Sequence, residues 1–183
     1  MNQRPPTRLE YALLGLLHQQ PQSGYDLRKV FATTALGNYS SSPGAIYPAL
    51  KRLETKALVG SEIDDARALR PRKVYRPTPD GSAVFRAWLV QDISTDDVAR
   101  GFDELMLRFA FHWVLDAPAA SYEFLHTLAD LLGRYTKELE AQRRMFPPEA
   151  PVQSRLALDA GIEQYRAAAR WARKSRKHFK EDT

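Results

Sequence analysis

Cysteine is absent from these 183 residues, which excludes disulfides and thiolate chemistry and fits a reducing cytoplasm. Histidine is scarce: the four, at 18, 112, 126 and 178, show no metal-ligand spacing. Glycines are scattered, and Gly15, Gly24 and Gly37 each have a turn or packing explanation, so no glycine-rich phosphate loop is present. No apolar run approaches the roughly 20 residues a bilayer-spanning helix needs. The N-terminal apolar residues fall at helical spacing with no small-residue cleavage site after them, which is not a signal peptide. Acid pairs do occur, Asp96-Asp97 and Asp103-Glu104, but they stand where helix N-termini favour acids. No nucleophile has an identifiable base partner. An enzyme, a resident metal or cofactor, and a membrane span are therefore not expected.

What the chain does have is an uneven charge. Residues 1–85 hold 12 Lys and Arg against 7 Asp and Glu, while residues 86–183 hold 15 of each, so the net +5 lies wholly in the first half. A basic half beside a balanced half points to one part meeting a polyanion and another meeting protein. With 44% apolar residues, either part has enough to bury a core.

The hydrophobic spacing predicts helices through most of the chain. Thr7 with Glu10 is a capping-box pattern, and Leu9, Leu13, Leu16 and Leu17 follow as one stripe. Ser23 with Asp26 starts a second helix carrying Tyr25, Leu27, Val30, Phe31 and Thr34, which Gly37-Asn38 can end. The most informative stretch runs from Ser40 to Gly60. Ser42 is a good N-cap and Pro43 suits the first helical position. Ile46, Leu50, Leu53 and Ala57 then share an apolar face, opposite Gly44, Tyr47, Pro48, Lys51 and Arg52. That second face is thin at its start and basic further on, which suits a helix laid into a major groove. Two strand candidates follow, Val59–Ile63 and Lys73–Pro77, around a polar tip rich in arginine. Thr78-Pro79 begins a fourth helix with Val84, Phe85, Trp88 and Leu89. Three helices and then a basic hairpin is the element order of a winged helix-turn-helix. The expected boundaries are a DNA-binding domain over residues 1–90 and a helical domain over 91–183. The fold class is mainly α, with a small two-stranded wing.

In the second half, Ser94 to Asp97 reads as a linker and cap. Phe102, Leu105, Met106, Phe109, Trp113 and Val114 form a broad stripe, and a long helix after Pro118 carries Leu125, Leu128, Leu132, Tyr135 and Leu139. The prolines between Phe146 and Pro151 break it. From about Ser154, Leu158, Ile162, Tyr165, Ala169 and Ala172 recur as a two-heptad seam, read as a dimerisation surface. The last residues, from Arg173, are read as solvated and frayed.

The strings LEYALLGLL, SGYDLRK, SPGAIYPALKRLETKALV and KVYRPTPDG, with Trp88 after them, resemble the PadR family of transcriptional regulators over about residues 8–90. The resemblance implies a cytoplasmic homodimer on a palindromic operator. It also implies dimerisation through the C-terminal helices and, in many members, a response to a small aromatic or hydrophobic effector. On these positions Ser40, Ser41, Ser42, Gly44, Tyr47, Lys51 and Arg52 would meet DNA from the recognition helix. Arg67, Arg70, Arg72 and Lys73 would do so from the wing. Tyr47 reads as a phosphate contact with its ring under the wing, or as a core aromatic, and Tyr25 as packing, or as a hydroxyl near a phosphate. Phe102, Phe109, His112, Trp113 and Tyr122 read as an effector pocket, or as core and interface. The partners are thus double-stranded operator DNA, a second copy and a small effector, acting most simply as a repressor. The alternative is a winged-helix module that binds protein.

Overall fold

The computed structural model describes residues 4–39, 43–64 and 71–180, and the chain divides into two units, Met1–Leu89 and Val90–Thr183. In the first unit Thr7 and Glu10 form the expected capping box at the start of α1 (Arg8–Gln19), whose leucines are buried. A second capping box, Ser23 with Asp26, starts α2 (Gly24–Thr33). That helix stops before Gly37. Thr34 is extended, its hydroxyl donating to the Val30 carbonyl and accepting from the Leu36 N–H, and a 3-10 turn, Ala35–Tyr39, takes over. Tyr25 is 60% exposed with the Arg28 guanidinium over its ring, so it does not pack as expected.

A 3-10 turn, Pro43–Ala45, leads into α3 (Ile46–Thr55), so Pro43 is not at the first α-helical position and the cap is Ala45, with no side-chain bond; Ser42, the expected N-cap, lies outside the described residues. The end of α3 is not where the apolar spacing places it. The Leu58 N–H donates to the Leu53 carbonyl and the Ala57 N–H to that of Glu54, each at 2.9 Å. Ala57 has φ 55°. This is a Schellman ending with alanine in the left-handed position, so Ala57 is exposed past the helix rather than on its apolar face.

Strands β2 (Val59–Asp64) and β3 (Arg72–Pro77) pair antiparallel, Val59 opposite Pro77 and Asp64 opposite Arg72. The sheet has three strands, not two: β1 (Gln22–Ser23) pairs with Val74 and Tyr75 on the other edge of β3. Two buried polar residues are too short a run for periodicity to reveal. Thr78 then starts α4 (Pro79–Leu89), accepting from the Gly81 N–H and donating to the Ala57 carbonyl. A Cβ at Gly81 would lie 1.8 Å from the Leu58 oxygen, so only glycine lets α4 approach that closely. Tyr11 stacks on Trp88 at 4.2 Å in the core between α1 and α4.

The second unit holds α5 (Thr95–Arg100), α6 (Phe102–Ala110), α7 (Pro118–Arg144) and α8 (Val152–Ser175). The stretch read as linker and cap holds a capping box, Ser94 with Asp97, and α5 starts within it at Thr95. A 3-10 turn, His112–Leu115, follows α6 and turns Trp113 outward, 53% exposed, so it leaves the stripe of Leu105 and Phe109. Helices α7 and α8 run antiparallel, with Arg143 on Asp159 and Glu140 on Arg166, both at 2.6 Å. The C-terminal end is more ordered than its composition suggests. A 3-10 turn, Arg176–Phe179, places Phe179 edge-on to Phe109 at 6.0 Å.

Candidate nucleic-acid interface

Ile46, Ala49, Leu50 and Leu53 of α3 have no exposure, so only the opposite face of that helix is left for a partner. Gly44, Pro48 and Lys51 are exposed there, and Tyr47 is 50% exposed. The Tyr47 ring has a neighbour that the bare sequence did not indicate. It lies on Gly24 at the start of α2, where an added Cβ would come within 2.6 Å of Tyr47 Cε1. The missing side chain at Gly24 therefore sets the angle at which Tyr47 leaves the helix, a role the bare sequence did not reveal.

The two basic residues of that face have different surroundings. Arg52 Nε donates to Glu10 Oε1 at 2.6 Å, and Lys56 Nζ lies 3.5 Å from the other oxygen. Glu10 is 1% exposed. Burial alone would raise its pKa, but the Thr7 N–H, Arg52 and Lys56 together hold the carboxyl below its ordinary value. A buried carboxylate is costly without partners. Arg52 is therefore first an anchor between α3 and α1, with only part of its guanidinium side on the surface. Lys51 is exposed.

The wing cations are paired too, but at the surface. Lys73 Nζ lies 2.8 Å from Glu54, which also accepts from the Ser61 hydroxyl at 2.6 Å. Lys73 holds the Glu54 carboxyl down, and Glu54 raises the lysine. Arg72 reaches Asp26 at 3.4 Å and Asp64 at 3.7 Å. Exposed pairs of this kind are worth about 0–1 kcal/mol, so a phosphate can displace Glu54 or Asp26 at little cost. Displacing buried Glu10 would cost several times more. Glu54, which ties the recognition helix to both wing strands, had no signal in the sequence beyond being an acid in a basic run. Ser40, Ser41, Ser42, Arg67 and Arg70 lie outside the described residues.

Residues 13–87, which fall within this helix–helix–helix–wing unit, match the family described as transcriptional regulator PadR-like. Over those residues the chain is similar to the PadR-like transcriptional regulators. It is 26% identical over 170 residues to the negative transcriptional regulator PadR of Bacillus subtilis (strain 168), covering 89% of this chain and 92% of that one. Crystal structures of Bacillus subtilis PadR in complex with operator DNA and with p-coumaric acid are similar at 22% and 21% identity. They cover 94% and 98% of this chain and 99% of each of theirs, with TM-scores of 0.43.

Beyond the PadR-like match, the second unit brings some of the expected pocket residues together. Phe109, His112 and Trp113 line a cavity of about 430 Å³ with Asp116, Ser121 and Phe179. Phe102 is not in it: it packs on the core formed by Leu105 and Leu125. Tyr122 is not in it either, lying against His126 and under the Arg176 guanidinium. The seam on α8 also needs correction. Ile162, Ala169 and Ala172 are buried within the single chain, Tyr165 sits edge-on to Tyr135 of α7, and Leu158 is partly buried. A heptad stripe shows that a helix has a partner and not which helix that is; here the partner is α7. Among the described residues no helix is long and apolar enough to cross a membrane.

Proposed function

We propose that this PadR-like regulator is a repressor that binds a palindromic operator as a homodimer in the cytoplasm and is released by a small hydrophobic or aromatic effector. In this reading residues 1–90 bind DNA and residues 91–183 dimerise and receive the effector. The chain has no catalytic role. The observation that carries it is the geometry of α3: one face wholly buried, the other presenting Tyr47 and Lys51 beside a cationic wing. The name of the Bacillus relative, a negative regulator, supports repression. The cavity on Phe109 and His112 supports an effector.

Fluorescence anisotropy with duplexes from the promoter upstream of the gene, chosen by a search for an inverted repeat, tests the docking face. Lys51→Ala should weaken binding to all duplexes and lower the salt slope by about one. Wild-type affinity and slope in that variant would show that the face is wrong. Tyr47→Phe isolates the hydroxyl; unchanged affinity leaves that ring a packing role only.

A further inference from the structure

We infer that the cavity of the second unit selects aromatic ligands that carry a positive charge over those that carry a carboxylate. This rests on the effector reading above and adds the ligand class. Four residues of the lining carry aromatic rings, Phe109, His112, Trp113 and Phe179: Phe109 meets Phe179 edge-on and is backed by Phe124 at 5.8 Å, and Trp113 is half-exposed. Among the described residues that line it, the charged one is Asp116, and none is a lysine or arginine. His112 is 4% exposed, its Nδ1 3.4 Å from the Ser121 hydroxyl and its ring edge-on to Phe124 at 4.6 Å. That pair places polar atoms in the wall.

Aromatic faces attract cations through their quadrupole, tryptophan most strongly. A carboxylate beside them, here the exposed Asp116, adds attraction for an ammonium group and repels an anion. The backbone at Asp116 strengthens the assignment. It sits in the left-handed region, φ 50° and ψ 39°, closing the 3-10 turn with its N–H on the Trp113 carbonyl. Glycine is the default residue for that conformation, with asparagine and aspartate as the side chains that adopt it locally. An aspartate there meets the backbone need and also sets a fixed negative charge in an aromatic wall. The volume, about 430 Å³, fits one or two fused rings with a short arm.

Three probes with one phenol ring and different arms separate the outcomes: tyramine (ammonium), p-cresol (neutral) and p-coumaric acid (carboxylate). Binding to the full chain is read by calorimetry and by quenching of tryptophan fluorescence. Tyramine should bind tightest and p-coumaric acid weakest. Asp116→Asn, which keeps the left-handed turn, should cut the advantage of tyramine over p-cresol about fivefold and leave p-cresol unchanged. Ser121→Leu, filling the cavity, should weaken all three. If p-coumaric acid binds tightest, or tyramine keeps its advantage in Asp116→Asn, the charge assignment is wrong while the effector reading survives. If ligands bind equally well to Ser121→Leu, they sit elsewhere and the assignment falls. If none of the three binds the wild-type chain at millimolar concentration, both this inference and the effector reading fail.

Discussion

Glu10 carries two jobs with two oxygens: it closes the cap of α1 through the Thr7 N–H and holds Arg52 and Lys56 of the recognition helix. Its pKa is lowered from 4.5, so its contribution to stability is present above that value and lost as pH falls through the folded one. His18 behaves alike for another reason. Burial lowers its pKa from 6.5, outweighing its bond to the Leu14 carbonyl, and Arg86 lowers it further. Its Nδ1 faces that carbonyl at 2.8 Å and must donate, so Nε2 of the neutral ring accepts from the Ser82 hydroxyl at 3.1 Å. The neutral form is thus favoured by folding, and its contribution is lost as pH falls below 6.5. Urea unfolding across pH should show a first decline beginning near 6.5, removed by His18→Gln, and a second near 4.5, reduced by Glu10→Gln. If His18→Gln keeps the wild-type profile down to about pH 5, the neutral-ring account fails. Gly24 acts through geometry. Gly24→Ala forces the half-exposed Tyr47 ring to swing away, which is cheap for the fold and costly for aim. DNA affinity should fall about fivefold while stability changes by less than about 1 kcal/mol. A large stability loss instead would mark Tyr47 as a structural residue.

Helix ends, more than helix centres, position the interface. The Schellman ending of α3 turns the chain at Ala57, drops Leu58 into the core and starts β2 at the angle that brings Ser61 and Lys73 to Glu54. A left-handed alanine costs roughly 1–2 kcal/mol that glycine does not, and glycine recovers part of this against its greater unfolded-state entropy. Ala57→Gly should therefore raise stability by about 0.5–1 kcal/mol, read as a higher thermal midpoint with DNA affinity kept. A lower midpoint would show that the turn depends on the alanine methyl. In the second unit the antiparallel pair α7–α8 consumes the apolar seam. Ile162→Asp should accordingly weaken that pair by replacing a buried apolar side chain with a charged one. The thermal midpoint should drop at every protein concentration. A drop that vanishes at high concentration would instead restore Ile162 to a contact between copies.

On the scale of the molecule, the charge surplus and the PadR-like match fall in one unit and the cavity in the other. The first unit has its own core, built on Leu13, Leu27, Leu50 and Phe85. A chain ending at Leu89 should fold and remain monomeric. It should bind the inverted repeat weakly, because two half-sites no longer share one tethered partner. Sedimentation showing a dimer would move dimerisation out of the C-terminal helices. An effector that lowers operator affinity in the full chain should have no effect on this shorter one.

The helices, their caps and the order of elements through the wing were legible in the residues, because capping boxes and apolar spacing are local and depend on neighbours three or four positions away. Thr7 with Glu10, Ser23 with Asp26 and Ser94 with Asp97 all cap where the pattern places them. Partner choice was not legible. Whether Arg52 meets a phosphate or Glu10, whether Ala169 meets α7 or a second copy, and whether Gln22 is loop or strand each depend on atoms far away in sequence. The spacing of apolar and charged residues states that a face must be covered or neutralised. Only the packed chain, by bringing distant residues within a few ångströms, decides by what.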